Sequence, residues 1–364
     1  MKKVIYKFSF MVLAIGLLFS VSQAKAQTTT SLSDIYSTLP NINSCVTGAL
    51  KQTEKDKVLT EVNFIRTTMG LPPVVYDATF DKQAMDEALV IVANMKDFPW
   101  GATFNYHFPQ SNWHCYTADA ASGGASSNLF YTTSTEPQSI ESINSWLNDR
   151  GVDVLGHRRW LLDPFVKKIA FGRSDGTPIN GTGNISGMTY YYDYNSQQDL
   201  SSWNHEYVAF PCGDTPPRLW DDNWSLMSFT IIADKGSRNA NTDKVSYWTT
   251  APDGSTINKC VIEVIDDEGN ITTIKKGGGA PLDPNEKTRG WNYEGYGIPN
   301  CLSWQFFGLK KLHTYTVNIN SVRVNGIVKN FSYQFTFRDP SIAKPAKPLL
   351  SVPANHATNV NQAV

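Results

Sequence analysis

Residues 156–172 read GHRRWLLDPFVKKIAFG, and how this stretch is divided decides the fold. Gly156 and His157 open a short apolar turn, and Trp160, Leu161 and Leu162 are its core-facing residues. Asp163-Pro164 stops that turn, because the residue before a proline is pushed out of the α region. KKIAFG (167–172) then reads as a strand, so the period changes here from helical to two-residue. The histidine has two readings: satisfying local backbone groups, or facing a ligand. The two arginines read as scaffolding, one paired with a carboxylate such as Asp149 or Asp163 and the other facing water.

On the N-terminal side the period is helical. Residues 53–69 carry Val58, Leu59, Val62, Ile65 and Met69, with Thr53 to cap the start and Gly70 and Pro72-Pro73 to end it. Residues 78–95 repeat the pattern with Ala84, Met85, Ala88, Leu89, Val92 and Met95. A third helix is expected from near Thr135, with Pro137 in its first turn and Ile140, Ile143, Trp146 and Leu147 on its apolar face; Gly151 stops it. Between the second and third helices the chain is rich in Gly, Ser and Ala and reads as a long loop, a kind of segment that is usually functional.

On the C-terminal side MTYYYDY (188–194) reads as the next strand, so the first sheet is expected over 167–172 and about 188–210. Beyond residue 222 the period is two. Cys260, Ile262 and Val264 alternate with their neighbours, as do Tyr315, Val317 and Ile319, and Asn325-Gly326 is a hairpin turn before Tyr333, Phe335 and Phe337. The fold class is therefore α+β: a helix-rich half, then an antiparallel, immunoglobulin-like β-sandwich over 218–339. Residues 340–364 read as a Pro-rich linker or the start of a further module.

Lys2, Lys3 and Lys7, an apolar run from Phe8 to Phe19, and Ala24-Lys25-Ala26 before Gln27 form the pattern of a secretory signal peptide over 1–26, so a secreted chain is expected, with 27–49 as an N-terminal extension. No second apolar stretch long enough to span a bilayer follows. The chain has 32 basic and 33 acidic residues; the first 26 residues hold four lysines and no acid, which leaves 28 against 33. That balance argues against nucleic acid as a partner, since a nucleic-acid surface needs clustered excess Lys and Arg. The five cysteines Cys45, Cys115, Cys212, Cys260 and Cys301 fit no zinc-knuckle spacing, and their odd number leaves at least one outside any internal disulfide. Cys260 with Cys301 is the expected pair, because both fall in the strand-rich half.

Five stretches in order resemble the CAP superfamily of cysteine-rich secretory, antigen 5 and pathogenesis-related proteins: LTEVNFIRTTMGLPPVVYD (59–77), HFP (107–109), SSNLF (126–130), SWLND (145–149) and GHRRWLLDPFVKKIAFG (156–172). The last is similar to the Gly-His-Arg version of bacterial members, and the resemblance covers about 50–210. YVAFPCGDTPP (207–217) looks like the strand and linker that lead into a β-sandwich in some bacterial relatives. The resemblance implies a three-layer α-β-α sandwich with a cleft lined by two histidines and two acids. It maps the histidines to His107 and His157, and the acid three residues after the tryptophan to Asp149. The glutamate of the family's Gly-Glu-Asn motif falls on Ser127, so one carboxylate has become a hydroxyl.

His107, His157 and Asp149 are thereby candidate ligands for a divalent cation such as zinc, because imidazole and carboxylate oxygen both suit it. Ser127 weakens both metal binding and acid–base chemistry, which needs two titratable groups. His114 matches no position of the family, His205-Glu206 reads as a solvated pair, and the tyrosines of 190–194 read as half-buried packing. Three functions follow as expectations. The first is a non-catalytic extracellular module binding a lipid-like, peptide or glycan ligand in a cleft of His107, Ser127, Asp149 and His157. The second is a metal-dependent hydrolase, and the third a cell-surface carbohydrate-binding or adhesion protein. No catalytic residue is assigned.

Overall fold

A computed structural model describes residues 31–96, 105–134, 138–152, 154–179, 181–250, 256–274, 288–291 and 297–339. The expected signal peptide and the tail beyond 339 lie outside these residues.

The helix Gln52–Thr68 buries Val58, Val62 and Ile65, spaced by four and three residues as one apolar stripe requires. Its N-cap is Lys51 and not Thr53, and no side chain caps it. The helix Asp81–Asn94 follows the 3₁₀ turn Ala78–Phe80, where the Asp77 carboxylate accepts from Thr79 N. Every residue from Ala84 to Asn94 is buried, so this helix is enclosed on all sides.

Enclosure comes from a four-stranded sheet, in the order Val75–Tyr76, Lys168–Gly176, Ile185–Tyr192 and Ser127–Thr132. The first pair is parallel and the other two are antiparallel. Alternation divides its faces. Ile169, Phe171, Met188, Tyr190 and Tyr192 join one cluster with Val58, Val62 and Ile65 and with Ile143, Trp146 and Leu147. The opposite face carries Gly172 and Gly187. A Cβ at Gly172 would stand 2.1 Å from the Ala84 carbonyl oxygen, and one at Gly187 2.8 Å from that of Ala88, so glycine lets the Asp81–Asn94 backbone lie on the sheet. Thr189 Oγ1 donates to Ala84 O at 2.8 Å across the same contact. Helices therefore cover both faces.

Three expectations change. The stretch read as one long loop contains the helix Ala118–Ala125 and the strand Ser127–Thr132. The third helix spans Ser139–Asn148, and Thr135 and Pro137 lie outside the described residues. Tyr207–Phe210 does not extend the first sheet, because Ile185–Tyr192 already pairs on both edges; it pairs with Met227–Ile231 instead.

The C-terminal strands form two larger sheets. One runs Thr288–Trp291, Cys301–Trp304, Met227–Ile231, Tyr207–Phe210. The other runs Ile271–Ile274, Val261–Ile265, Thr314–Val324, Ile327–Phe337, Gly213–Thr215, with Val245–Ser246 also on Thr314–Val324. The Asn-Gly hairpin forms as read, with Asn325 at φ 48° and Gly326 at φ 81°. Met227, Phe229, Leu302 and Trp304 of one sheet bury into the same cluster as Ile262, Val264, Val317 and Phe335 of the other. The buried Arg238–Asp163 ion pair ties this half to the first, its guanidinium 5.1 Å from the Trp160 ring and 4.9 Å from that of Tyr194.

The disulfide joins Cys45 to Cys115, with Cα atoms 5.2 Å apart; Cys260 and Cys301 are free thiols. The reason is Tyr247. Its backbone carbonyl accepts from Cys260 N at 2.9 Å, while its hydroxyl donates to Asn300 O at 2.6 Å, next to Cys301. The backbone at Cys260 and the backbone just before Cys301 thus meet opposite ends of the tyrosine.

Candidate functional site

The site begins at the end of the Ser139–Asn148 helix. Asp149 takes the left-handed conformation there, φ 51° and ψ 44°, which Asp tolerates better than most residues. This turns its carboxylate toward the next helix, Gly156–Leu161. That helix opens after Leu155, a buried apolar residue at φ 51° whose side chain cannot cap. Asp149 does the capping from outside. Its Oδ2 accepts from Arg158 N at 3.1 Å, the third N–H of the helix, and its Oδ1 accepts from His157 Nδ1 at 2.7 Å. One buried carboxylate therefore starts the helix and fixes the imidazole.

The flanking arginines are both buried, and neither faces water. Arg158 Nε donates to Leu147 O at 2.6 Å and its Nη1 to Leu226 O at 2.6 Å, and the guanidinium lies 4.6 Å from the Phe210 ring. Burial pulls its pKa down to about 10, so it stays charged at neutral pH. Arg159 Nε donates to Ile298 O at 2.9 Å. Asp163 pairs with Arg238 instead, because the arginines after His157 are turned toward backbone carbonyls of the C-terminal half.

His107 is half-buried, and its Nδ1 donates to Gly124 O at 2.8 Å. Burial lowers its pKa, the Gly124 bond opposes this, and repulsion from His157 lowers it further. Ser127 is 1% exposed and its Oγ has no hydrogen-bond partner among the described residues. Its neighbour Asn128 donates from Nδ2 to His157 O at 2.9 Å, which ties the strand to the helix start. Sequence reasoning missed Asn128, and the order SSNLF was the only signal for it.

Beside the Asp149–His157 pair opens a cavity of about 780 Å³, lined among others by Phe130, Glu141, Trp220, Asp221 and Asp222. His157 and Asp149 reach it; His107 and Ser127 are not in its lining. A Ser-His-Asp relay needs the hydroxyl on the imidazole nitrogen away from the acid, and Ser127 Oγ makes no such bond. Bonds at Nδ1 leave Nε2 as the ligand atom of each histidine, but both Asp149 oxygens are committed to protein donors and Ser127 carries no charge, so two good donors remain where a tightly held zinc ion needs three or four. Apart from this cavity, Glu87 is fully buried, with both carboxyl oxygens lacking a hydrogen-bond partner among the described residues and its pKa pushed well up by desolvation.

Residues 59–192 match the model of the CAP family, the cysteine-rich secretory protein family. The crystal structure of MpPR-1i is similar to this chain at 18% identity, covering 38% of this chain and 84% of that one with a TM-score of 0.23. The crystal structure of MpPR-1i soaked with selenourea for 10 min gives 19% identity, 38% and 88% coverage and a TM-score of 0.23. No curated protein matches. Among the described residues no helix is long and apolar enough to cross a membrane.

Proposed function

We propose that this chain is a secreted, extracellular binding protein whose CAP domain, over 50–210, takes a glycan in the cavity beside Asp149 and His157. The two C-terminal sheets, built mainly from 218–339 and edged by Tyr207–Phe210 and Gly213–Thr215, then act as an immunoglobulin-like β-sandwich that presents it. The observation that carries the binding reading over hydrolysis is the Ser127 hydroxyl. Asp149 holds His157 Nδ1 as the acid of a relay would, but the buried Ser127 Oγ makes no hydrogen bond to that imidazole among the described residues. The ligand class follows from the lining. Partly buried Phe130 and Trp220 offer flat apolar faces, and Glu141, Asp222 and Asn223 offer acceptors for hydroxyl groups.

The test is calorimetric titration of residues 27–364 with neutral oligosaccharides, a basic peptide and anionic lipid vesicles, together with assays for ester and peptide hydrolysis. An oligosaccharide that binds, and binds at least tenfold more weakly to Glu141→Ala/Asp222→Ala, supports the reading. Binding of only the peptide or the vesicles refutes the ligand class. Hydrolysis that is lost on His157→Ala refutes the binding function itself.

A further inference from the structure

A second cluster lies away from that cavity, where the N-terminal segment meets the loop before the Ala118–Ala125 helix. Cys45, His114 and Cys115 each turn a ligand atom inward, and these atoms lie within 4.8 Å of one another. His114 Nε2 stands 3.5 Å from Cys45 Sγ. No other group of three such residues meets this test among the described residues. Cys45 is exposed, and it borders two separate cavities of about 410 and 390 Å³, so both a reductant and an ion have access.

We propose that reduction of the Cys45–Cys115 disulfide creates a zinc site of two thiolates and the His114 imidazole. The oxidised form is a closed state of the same site. Its two sulfurs are bonded to each other and offer no thiolate. His114 Nε2 donates to Ile42 O at 2.9 Å, so that nitrogen carries a hydrogen and no lone pair. A dithiol reductant supplies two electrons and two protons, the S–S bond breaks, two thiols form, and the dithiol becomes a disulfide. Zinc then displaces one proton from each thiol. The imidazole proton passes from Nε2 to Nδ1, which frees Nε2 to bind the metal, and water fills the fourth position.

Geometry requires only local movement. Thiolates on a tetrahedral zinc sit about 3.8 Å apart, from Zn–S bonds of about 2.3 Å. The sulfurs must therefore separate by little more than a bond length. Both cysteines hold left-handed backbone, φ 54° at Cys45 and 61° at Cys115, which a residue with a Cβ adopts at a cost. His114 stays in place: its own N–H donates to Asn94 Oδ1 at 2.9 Å, and its carbonyl accepts from Asn94 Nδ2 at 3.0 Å.

The experiment uses residues 27–364 and zinc alone. Oxidised and dithiol-reduced protein, freed of reductant, are titrated with zinc against a chromogenic chelator. Reduced protein should bind one more zinc per chain than oxidised protein. His114→Ala should weaken that zinc at least tenfold, and Cys45→Ser/Cys115→Ser should abolish it. Cys212, Cys260 and Cys301 are thiols in both forms, so any zinc they take cancels in the comparison. Because the double variant could misfold, a second measurement uses the unaltered chain: zinc should protect Cys45 and Cys115 from alkylation, read by peptide mass spectrometry. Equal zinc uptake by both forms, or alkylation of these two cysteines unaffected by zinc, overturns the proposal.

Discussion

Replacing Asp149 tests whether one carboxylate both starts a helix and holds the site histidine. The position is left-handed, so the choice of substitution matters. Alanine would add a backbone penalty of about 1–2 kcal/mol, whereas glycine and asparagine tolerate the conformation and isolate the side chain. Asp149→Gly removes two charge-assisted hydrogen bonds at once, to Arg158 N and His157 Nδ1. The lost cap is worth about 1 kcal/mol and the buried donors left behind about 2 kcal/mol, so roughly 3 kcal/mol is expected in all. At about 2–4 °C per kcal/mol for a unit of 150–250 residues, the melting temperature should fall by roughly 6–12 °C. Asp149→Asn keeps one acceptor oxygen but turns an amide donor toward the second donor, and should cost about half as much. The assay is thermal unfolding followed by circular dichroism, with imidazole NMR reporting whether His157 Nδ1 keeps its hydrogen bond. If Asp149→Gly unfolds within about 1 °C of the unaltered protein, the carboxylate does not start this helix.

Glu87→Gln should stabilise the protein at neutral pH. Desolvation raises the folded-state pKa of Glu87 above its unfolded value, so between the two the native state holds a proton that the unfolded chain has released. Stability is then fully present below the unfolded pKa and falls with rising pH by up to about 1.4 kcal/mol per unit. Glutamine lacks this slope, and chemical denaturation at several pH values should show the two proteins diverging above about pH 4.5; parallel curves would refute it. Ser127→Glu should destabilise by about 2 kcal/mol or more, because Ser127 is 1% exposed and a larger side chain overpacks the site. A denaturation midpoint equal to that of the unaltered protein would show that the position opens to solvent.

The parts of the fold legible in the sequence were those where burial follows a local period. Val58, Val62 and Ile65 gave one helix, and Asn325-Gly326 gave a hairpin. The helix Ala118–Ala125, ADAASGGA, was not legible, because its glycines are poor helix formers. It forms through packing: a Cβ at Gly123 would stand 2.1 Å from Gln83 O, so the same glycine that weakens the local signal permits the contact. Arg158 and Arg159 read as one paired and one solvated residue because charge predicts exposure. Their acceptors, Leu226 O and Ile298 O, come from about 70 and 140 positions away and leave no mark near the motif. The disulfide was illegible for a similar reason. Five cysteines permit many pairings, and the bonded pair, Cys45 and Cys115, lies 70 positions apart.

His157 and Asp149, expected in one cleft from motif order, are hydrogen-bonded to each other, and Asp149 differs in kind from an acid at position 127. Asp149 has a structural duty independent of any ligand. Without it the Gly156–Leu161 helix has no side-chain cap, since Leu155 occupies the N-cap position. A carboxylate at Ser127 would have no such duty. Its strand is already held by backbone pairing with Tyr191 and by the Asn128 bond to His157 O. Asp149 thus serves the fold whether or not a ligand binds. Hydrolysis by the Asp149–His157 pair would need a nucleophile on the far imidazole nitrogen, and Ser127 Oγ makes no bond there. The proposed binding role asks less, because shape and acceptors at Trp220, Glu141 and Asp222 would recognise a ligand without moving a proton.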